Sequence, residues 1–511
     1  MKFVLTLFSL ALPIGLISAC SSAQIPTSTP SPSPSFTAAS LMEQALTASP
    51  PPNATLINTV PPTPTQLLKA TPIPEPLDNE LTQYSISAIL SYALHRLSVE
   101  EQITYTNNSP ESLSELLLIV EPSRYPGVFK LVDLTWGDGR VVTDYEREIG
   151  LLRIPLPEDL PPGAQVNLDI AYELDLPSPS PSYYGRPVPF GYSSRQTNLV
   201  DWYPFIPPYA PGEGWLAHQV GSFGEHLVYD KADFTVDIQL SDTNPDLIIA
   251  ASAPAVTGDD WHHYELNNAR NFSWSVSDQY VLTTTTVDST VVLAYHFPFD
   301  NEAGEAVLST TAESLELFNH LFGPYPRKTL SVVEADFLDG MEYDGLFFLS
   351  KGFYNLYSGS NGDYLTAIAA HETSHQWWYS ALGNDQALEP WLDESLSTYS
   401  ERLYYEDLHP EALDWWWTYR VYYYQPRGWV DGSIYNPEGY RAYRDAVYLN
   451  GALFMEDLRK AMGDESFFNF MRTYATKYAG QIVTANDFFD TLELFTQADL
   501  SALLEKYFEK R

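Results

Sequence analysis

The chain has 511 residues, 66 of them acidic and 27 basic, for a net charge of −39. That balance excludes nucleic-acid binding, which needs a basic footprint, and opposes adsorption to anionic lipid surfaces. A hydrophobic share of 44% indicates a globular protein, and a single cysteine excludes any internal disulfide.

Residues 1–20 read as an export signal. Lys2 supplies the positive charge, and Phe3 to Ile17 form an apolar run too short for a membrane span. The run ends in Leu16-Ile17-Ser18-Ala19-Cys20, which resembles the lipobox of bacterial lipoproteins. That resemblance implies a lipid on Cys20. The protein would then be exported and anchored to a bacterial cell membrane, its folded part outside the cytoplasm. The other reading is a plain secretory signal with an incidental cysteine. Residues 21–80 are rich in Ser, Thr and Pro, as in Pro61-Pro62-Thr63-Pro64-Thr65. Such composition cannot bury enough apolar surface to fold and reads as an extended, disordered linker.

Residues 81–298 read as an antiparallel β domain. Arg96 to Tyr105, Leu117 to Val120, Val166 to Tyr172, Phe234 to Leu240, Leu247 to Ala251 and Val291 to His296 have strand-like alternation or β-branched content. Turn-forming clusters separate them. From Asn301 the period changes to that of a helix, with apolar residues spread from Ala303 to Leu321. Two strands are expected at 330–335 and 346–349, with Asp339 to Gly345 between them. Helices are expected at 364–382 and 390–404, and mostly helix thereafter. The fold class is therefore multidomain α+β, a β domain followed by a mostly helical one at 299–511.

The strongest signal is Ala370-His371-Glu372-Thr373-Ser374-His375. A four-residue interval on a helix puts both imidazoles on one face, where they can grip one ion, and His-Glu-x-x-His suits Zn²⁺. Glu372 is one residue off that face, placed to touch water beside the metal. A third ligand is needed if the fourth position is to stay open. Trp391-Leu392-Asp393-Glu394-Ser395 offers one, with eighteen residues between His375 and Glu394. Glu401 follows Glu394 by two turns on the same face and could hydrogen-bond a ligand histidine, although a surface carboxylate is nearly as good a reading.

This pattern resembles the gluzincin peptidases, and more narrowly the membrane alanyl aminopeptidase (aminopeptidase N-like) family. Gly383-Asn384 also falls where that family carries Gly-Asn. Asp393 and Ser395 stand where the family has Asn and Gly. The resemblance covers about residues 80–511 and is faint in the first half. It implies a β-saddle domain followed by a thermolysin-like catalytic domain with zinc as cofactor. It also implies peptides as substrates, and an aminopeptidase rather than an endopeptidase or dipeptidase, or an inactive peptide-binding relative. Many members continue into a long helical domain. The end of this chain at Arg511 implies that the domain is absent and the cleft more open.

The resemblance also assigns roles. Tyr448, in Val447-Tyr448-Leu449-Asn450-Gly451, falls at the family's catalytic tyrosine, and a neutral phenol is an apt donor to an oxyanion. Gly340-Met341-Glu342 falls in the family's Gly-Ala-Met-Glu-Asn segment, where the glutamate binds the substrate's α-amino group. Only Met341 and Glu342 match outright, and Asp339, Gly340 and Tyr343 are departures. The aromatic residues crowding 404–448 are expected mainly to pack, and the other histidines lack ligand spacing.

Overall fold

The computed structural model describes residues 80–178, 188–257 and 260–510. The export signal, Cys20 and residues 21–79 of the linker lie outside the described residues.

The first part is built on a seven-stranded sheet. Thr82–Ser91 lies inside it, and Tyr84, Ile86, Ala88 and Leu90 point to the core while the residues between them do not. This period of two is what half-buried strands require. Arg96–Thr106 pairs antiparallel on one side of this strand, and Ala232–Leu240 pairs parallel on the other. The parallel pair departs from the all-antiparallel expectation. No hairpin joins these two strands, and the long connection between them allows either direction.

The next sheet is five-stranded and mixed, in the order Val281–Val287, Thr290–His296, Thr329–Ala335, Leu346–Ser350, Gly340–Tyr343. The helix Asn301–Phe322 carries the chain from the second of these strands to the parallel third. A boundary at 298/299 would cut this sheet, because Thr290–His296 pairs with Thr329–Ala335 across it. Alternation marks a strand but not its partner. Met341, Tyr343, Val333 and Phe348 share one hydrophobic core with residues of the first part such as Tyr84 and Phe234.

The helix Tyr364–His375 does not run on to Leu382 as its sequence suggests. It opens into a π-helical turn at Gln376–Ala381, with Trp378 at φ −92° and ψ 24°. Both indoles there are buried and anchored, Trp377 donating to Gly323 O (2.9 Å) and Trp378 to Ser400 Oγ (3.0 Å). Wide turns of this kind concentrate at functional sites.

Arg270, 2% exposed, clamps this turn to the first part. Its guanidinium donates to the carbonyls of Tyr379 (2.8 Å), Ser380 (3.0 Å), Ala381 (3.3 Å), Gln481 (2.8 Å) and Tyr229 (2.9 Å). Carbonyls at a helix end lack partners within the helix, and a cation suits that end. Gly383 makes room, since a Cβ there would fall 2.4 Å from Arg270 Cζ. Alongside, the buried Asp344 accepts from Arg327 Nε (2.5 Å), Lys231 Nζ (3.4 Å) and Arg270 N (2.8 Å). Burial would raise its pKa, but Arg327 and Lys231 outweigh burial and hold it well below the carboxylate range. Asp344 follows directly on Gly340–Tyr343, so this anchor fixes that edge strand.

Arg270→Met should lower stability by about 3 kcal/mol or more, because it leaves buried carbonyls without a donor. Chemical denaturation reads this directly, and an unchanged midpoint would remove Arg270 from its role as the clamp.

Candidate metal centre

His371 and His375 sit one turn apart on Tyr364–His375, a helix capped by Asp363, whose carboxylate accepts from Thr366 N at 3.0 Å. Their ring centroids are 4.8 Å apart. Glu394 arrives from the neighbouring helix Trp391–Leu408. Its Oε2 lies 3.2 Å from His371 Nε2 and 3.7 Å from His375 Nε2. All three side chains are buried, and one ligand atom from each falls within 4.8 Å of the others.

The far side of each imidazole is also held. His371 Nδ1 is 2.8 Å from Glu401 Oε1, and His375 Nδ1 is 3.2 Å from Ser397 Oγ. Glu401 in turn accepts from Trp416 Nε1 (2.8 Å), Arg420 Nε (2.9 Å) and Arg420 Nη2 (2.7 Å). Burial would raise the Glu401 pKa, but Arg420 and His371 outweigh it and keep the carboxyl below its ordinary value. An ionised Glu401 fixes the His371 tautomer with Nε2 bare toward Glu394, the arrangement a metal-ligating histidine needs. His375 is held well below the ordinary histidine pKa by burial and then by His371, so it stays neutral. Two imidazoles and one carboxyl group converging from two helices are a donor set that fits Zn²⁺.

Further carboxylates crowd this set. Glu372 is 4% exposed, and its Oε2 has no hydrogen-bond partner among the described residues. Its Oε1 lies over Gly340, where a Cβ would fall 2.0 Å away. Any side chain at Gly340 therefore displaces Glu372. Gly340 and Glu342 share the face of the edge strand turned to the site. Met341 alternates to the opposite face, and its side chain packs in the core with Tyr343, so only its backbone borders the site. Gln386 Nε2 bridges Glu342 Oε1 (3.1 Å) and Asp393 Oδ2 (3.1 Å). Glu342, Glu372, Asp393 and Glu394 are all pushed well above the carboxylate range, by burial first and then by neighbouring carboxylates, Glu225 for all four and Asp339 for Glu372 and Glu394.

Tyr448 sits on a second π-helical segment, Asp445–Asn450. Its hydroxyl donates to Glu394 Oε1 at 2.5 Å, and its ring lies parallel to that of His371. Ser395 Oγ donates to Val447 O (2.6 Å), and Gly451 leaves the space for that hydroxyl. The departure from glycine at 395 is thus a tie between the Glu394 helix and the Tyr448 segment.

The structure therefore brings His371, His375, Glu394, Glu372, Tyr448, Glu342 and Gly340 to one place. Sequence reading passed over Arg420, Trp416, Gln386, Ser397 and Glu225. The first two lay in an aromatic-rich stretch assigned to packing. Gln386 and Ser397 have no motif. Glu225 comes from the β part, far from the other site residues in sequence.

Residues 306–507 match the family described as Peptidase family M1 domain. The chain is 27% identical over 224 residues to Aminopeptidase M1-B of Oryza sativa subsp. japonica, covering 41% of this chain and 26% of that one. It is 25% identical over 202 residues to Aminopeptidase O of Homo sapiens, covering 33% and 24%. The chain spans about a quarter of the length of these curated relatives. An M1 zinc metallopeptidase structure from Deinococcus radiodurans has the same fold, with a TM-score of 0.61 at 18% identity over 83% of this chain and 93% of that one. A variant from that organism bound to a Tyr-Ser-Ala substrate gives a TM-score of 0.60 at 18% identity over 84% and 94%.

Glu401→Gln should weaken zinc affinity about 10–100-fold, because the fixed charge behind His371 is lost. Competition with a chelator measures it, and an unchanged Kd would show that Glu401 does not tune the ligand.

Proposed function

Residues 306–507 form a peptidase family M1 domain, and from that premise we propose that this chain is a zinc-dependent aminopeptidase. The observation that carries the exopeptidase half of the proposal is Glu342. Its carboxylate is buried on an edge strand, has an oxygen within 4.8 Å of ligand atoms of Glu372 and His375, and accepts from Gln386 Nε2, with no ion pair to it among the described residues. Glu225 adds charge on the same side. Among the described residues, Gly340–Tyr343 pairs only with Leu346–Ser350. Its free edge can take a substrate as an added strand. An α-ammonium drawn to Glu342 then receives a charge-assisted hydrogen bond and fixes which peptide bond reaches the ligands.

His371, His375 and Glu394 would hold Zn²⁺, which supplies Lewis acidity toward a carbonyl and toward water when bound. Glu372 is the general base. Its unpartnered Oε2 accepts the proton of the attacking water and later gives it to the leaving amine. The Tyr448 hydroxyl, which donates to Glu394 Oε1 at the rim of the ligand set, would turn from that carboxylate to donate to the oxygen that gains charge.

Free-amine peptides should be cleaved from the N-terminus, acetylated ones poorly, and a chelator should abolish both activities. Glu372→Ala should retain zinc and lose about 10²–10⁴ in turnover. Equal cleavage of free and blocked peptides at internal bonds would replace the aminopeptidase reading with an endopeptidase one.

We also propose that the protein is exported and tethered to a membrane through a lipid on Cys20, which rests on the lipobox-like sequence ending there. Cys20→Ala should move the protein from the membrane to the soluble fraction or stall its processing. Undiminished membrane attachment of that variant would count against lipidation.

A further inference from the structure

We infer that His218, which comes from the β part, is a positioning residue for the substrate's amino end. Through Asp385 it fixes Gln386, the amide that holds Glu342 in place. The inference rests on the aminopeptidase reading above and deepens it.

The connection runs through one carboxylate with two tasks. Asp385 Oδ1 accepts from Ala387 N (3.1 Å) and Leu388 N (3.0 Å), and its carbonyl accepts from Glu389 N (2.8 Å). These bonds close a turn around Gln386, as aspartate side chains do when they bond the backbone two residues on. From that turn Gln386 Nε2 donates to Glu342 Oε1 and to Asp393 Oδ2, both at 3.1 Å. The other oxygen of Asp385, Oδ2, lies 2.7 Å from His218 Nε2. Both side chains are only 16% exposed, so the contact is largely shielded from water, where a polar contact is stronger.

His218 is itself held from both directions. Just before it, Leu216 N donates to Pro208 O (2.8 Å) and Ala217 N to Trp215 O (2.9 Å), which ties it to the β part. Just after it, Gln219 O accepts from the Tyr435 hydroxyl at 2.7 Å. Phe223 packs on Tyr443 with ring centroids 4.9 Å apart, and a Cβ on Gly224 would fall 2.4 Å from Ile434 Cγ2. Ile434 N in turn donates to Ala387 O at 3.1 Å, so one neighbour braces both the incoming segment and the Gln386 turn. His218 therefore passes the placement of the β part to that turn. Gln386 has one amide nitrogen between two buried carboxylates, and a small displacement of the turn costs it one of the two bonds. Glu342 is the group that meets the α-ammonium, so the displacement is felt there. Among the described residues, neither His218 nor Asp385 bonds a metal ligand, Glu372 or Tyr448, so the metal end of the site is left alone.

The test uses the zinc-loaded protein and two inhibitors, alanine hydroxamate and propionohydroxamate, which differ only by the amino group. In the unmutated protein the amine should tighten Ki. His218→Ala should shrink that advantage about 3–10-fold, the worth of one hydrogen bond, with zinc content and the Ki of the amine-free compound unchanged. His218→Gln puts an amide N–H where Nε2 lies and should restore the advantage. Asp385→Ser keeps an oxygen for Ala387 N but is too short to reach His218, and should behave as His218→Ala. It decides the matter should His218→Ala not fold. In a Gln386→Leu background, His218→Ala should change nothing further, because both act along one path. A merely structural role would weaken both inhibitors alike, or add to the effect of Gln386→Leu. Either result, or an undiminished amine advantage in Asp385→Ser, would overturn the inference and leave the aminopeptidase reading standing. Equal Ki values for the two compounds on the unmutated protein would remove the role of the amine, and this inference with it.

Discussion

The constraint on which the site depends is a concentration of negative charge in a space shielded from water. Asp339, Glu342, Glu372, Asp393 and Glu394 all sit above the carboxylate range, burial being the first cause for each, and Glu225 adds to the repulsion. Like charges this close cannot all ionise unless something positive joins them. The chain supplies little of it, because Arg420 is committed to Glu401. On the proposed reading, a dication between His371, His375 and Glu394 and an ammonium at Glu342 would complete the balance. The ligands are thus specified by what the protein withholds.

The charges of the frame are treated in the opposite way. Asp344 has Arg327, Lys231 and a backbone N–H, and Arg270 has five carbonyl oxygens. Glu401 has Arg420 and an indole N–H. Each is buried and satisfied within the chain, the condition under which a buried charge is tolerated. These satisfied groups position the unsatisfied ones. Asp344 fixes the edge strand of Glu342, Arg270 fixes the turn after His375, and Glu401 orients His371. Removing a partner from the frame should move the site, whereas neutralising a site carboxylate should mainly change what binds.

Much of the ligand set was legible because helical geometry converts spacing into position. His371 and His375 meet at four residues, and Glu401 reaches back toward the ligands from seven residues past Glu394. Glu394 itself was reached through a family-like interval rather than through geometry. What failed to show was non-local. Arg420, Gln386 and Glu225 join the site through tertiary packing that no local period reports. The π-helical turns at Gln376–Ala381 and Asp445–Asn450 were hidden because their residues are ordinary helix formers with aromatic neighbours. Strand alternation located Val291 to His296 but could not assign its sheet, since the partner Thr329–Ala335 lies beyond a helix.

The central claim is that unneutralised carboxylates beside the ligand set select a substrate by its amine. Two inhibitors test it with one change of chemistry, leucine hydroxamate and the same hydroxamate without its amino group. Both carry the same metal-binding head and the same side chain. The account predicts that the amine tightens Ki by about 10–100-fold, the worth of a charge-assisted contact in a partly dry site, and that Glu342→Ala removes most of the difference. Equal Ki values for the two compounds on the unmutated protein would contradict it.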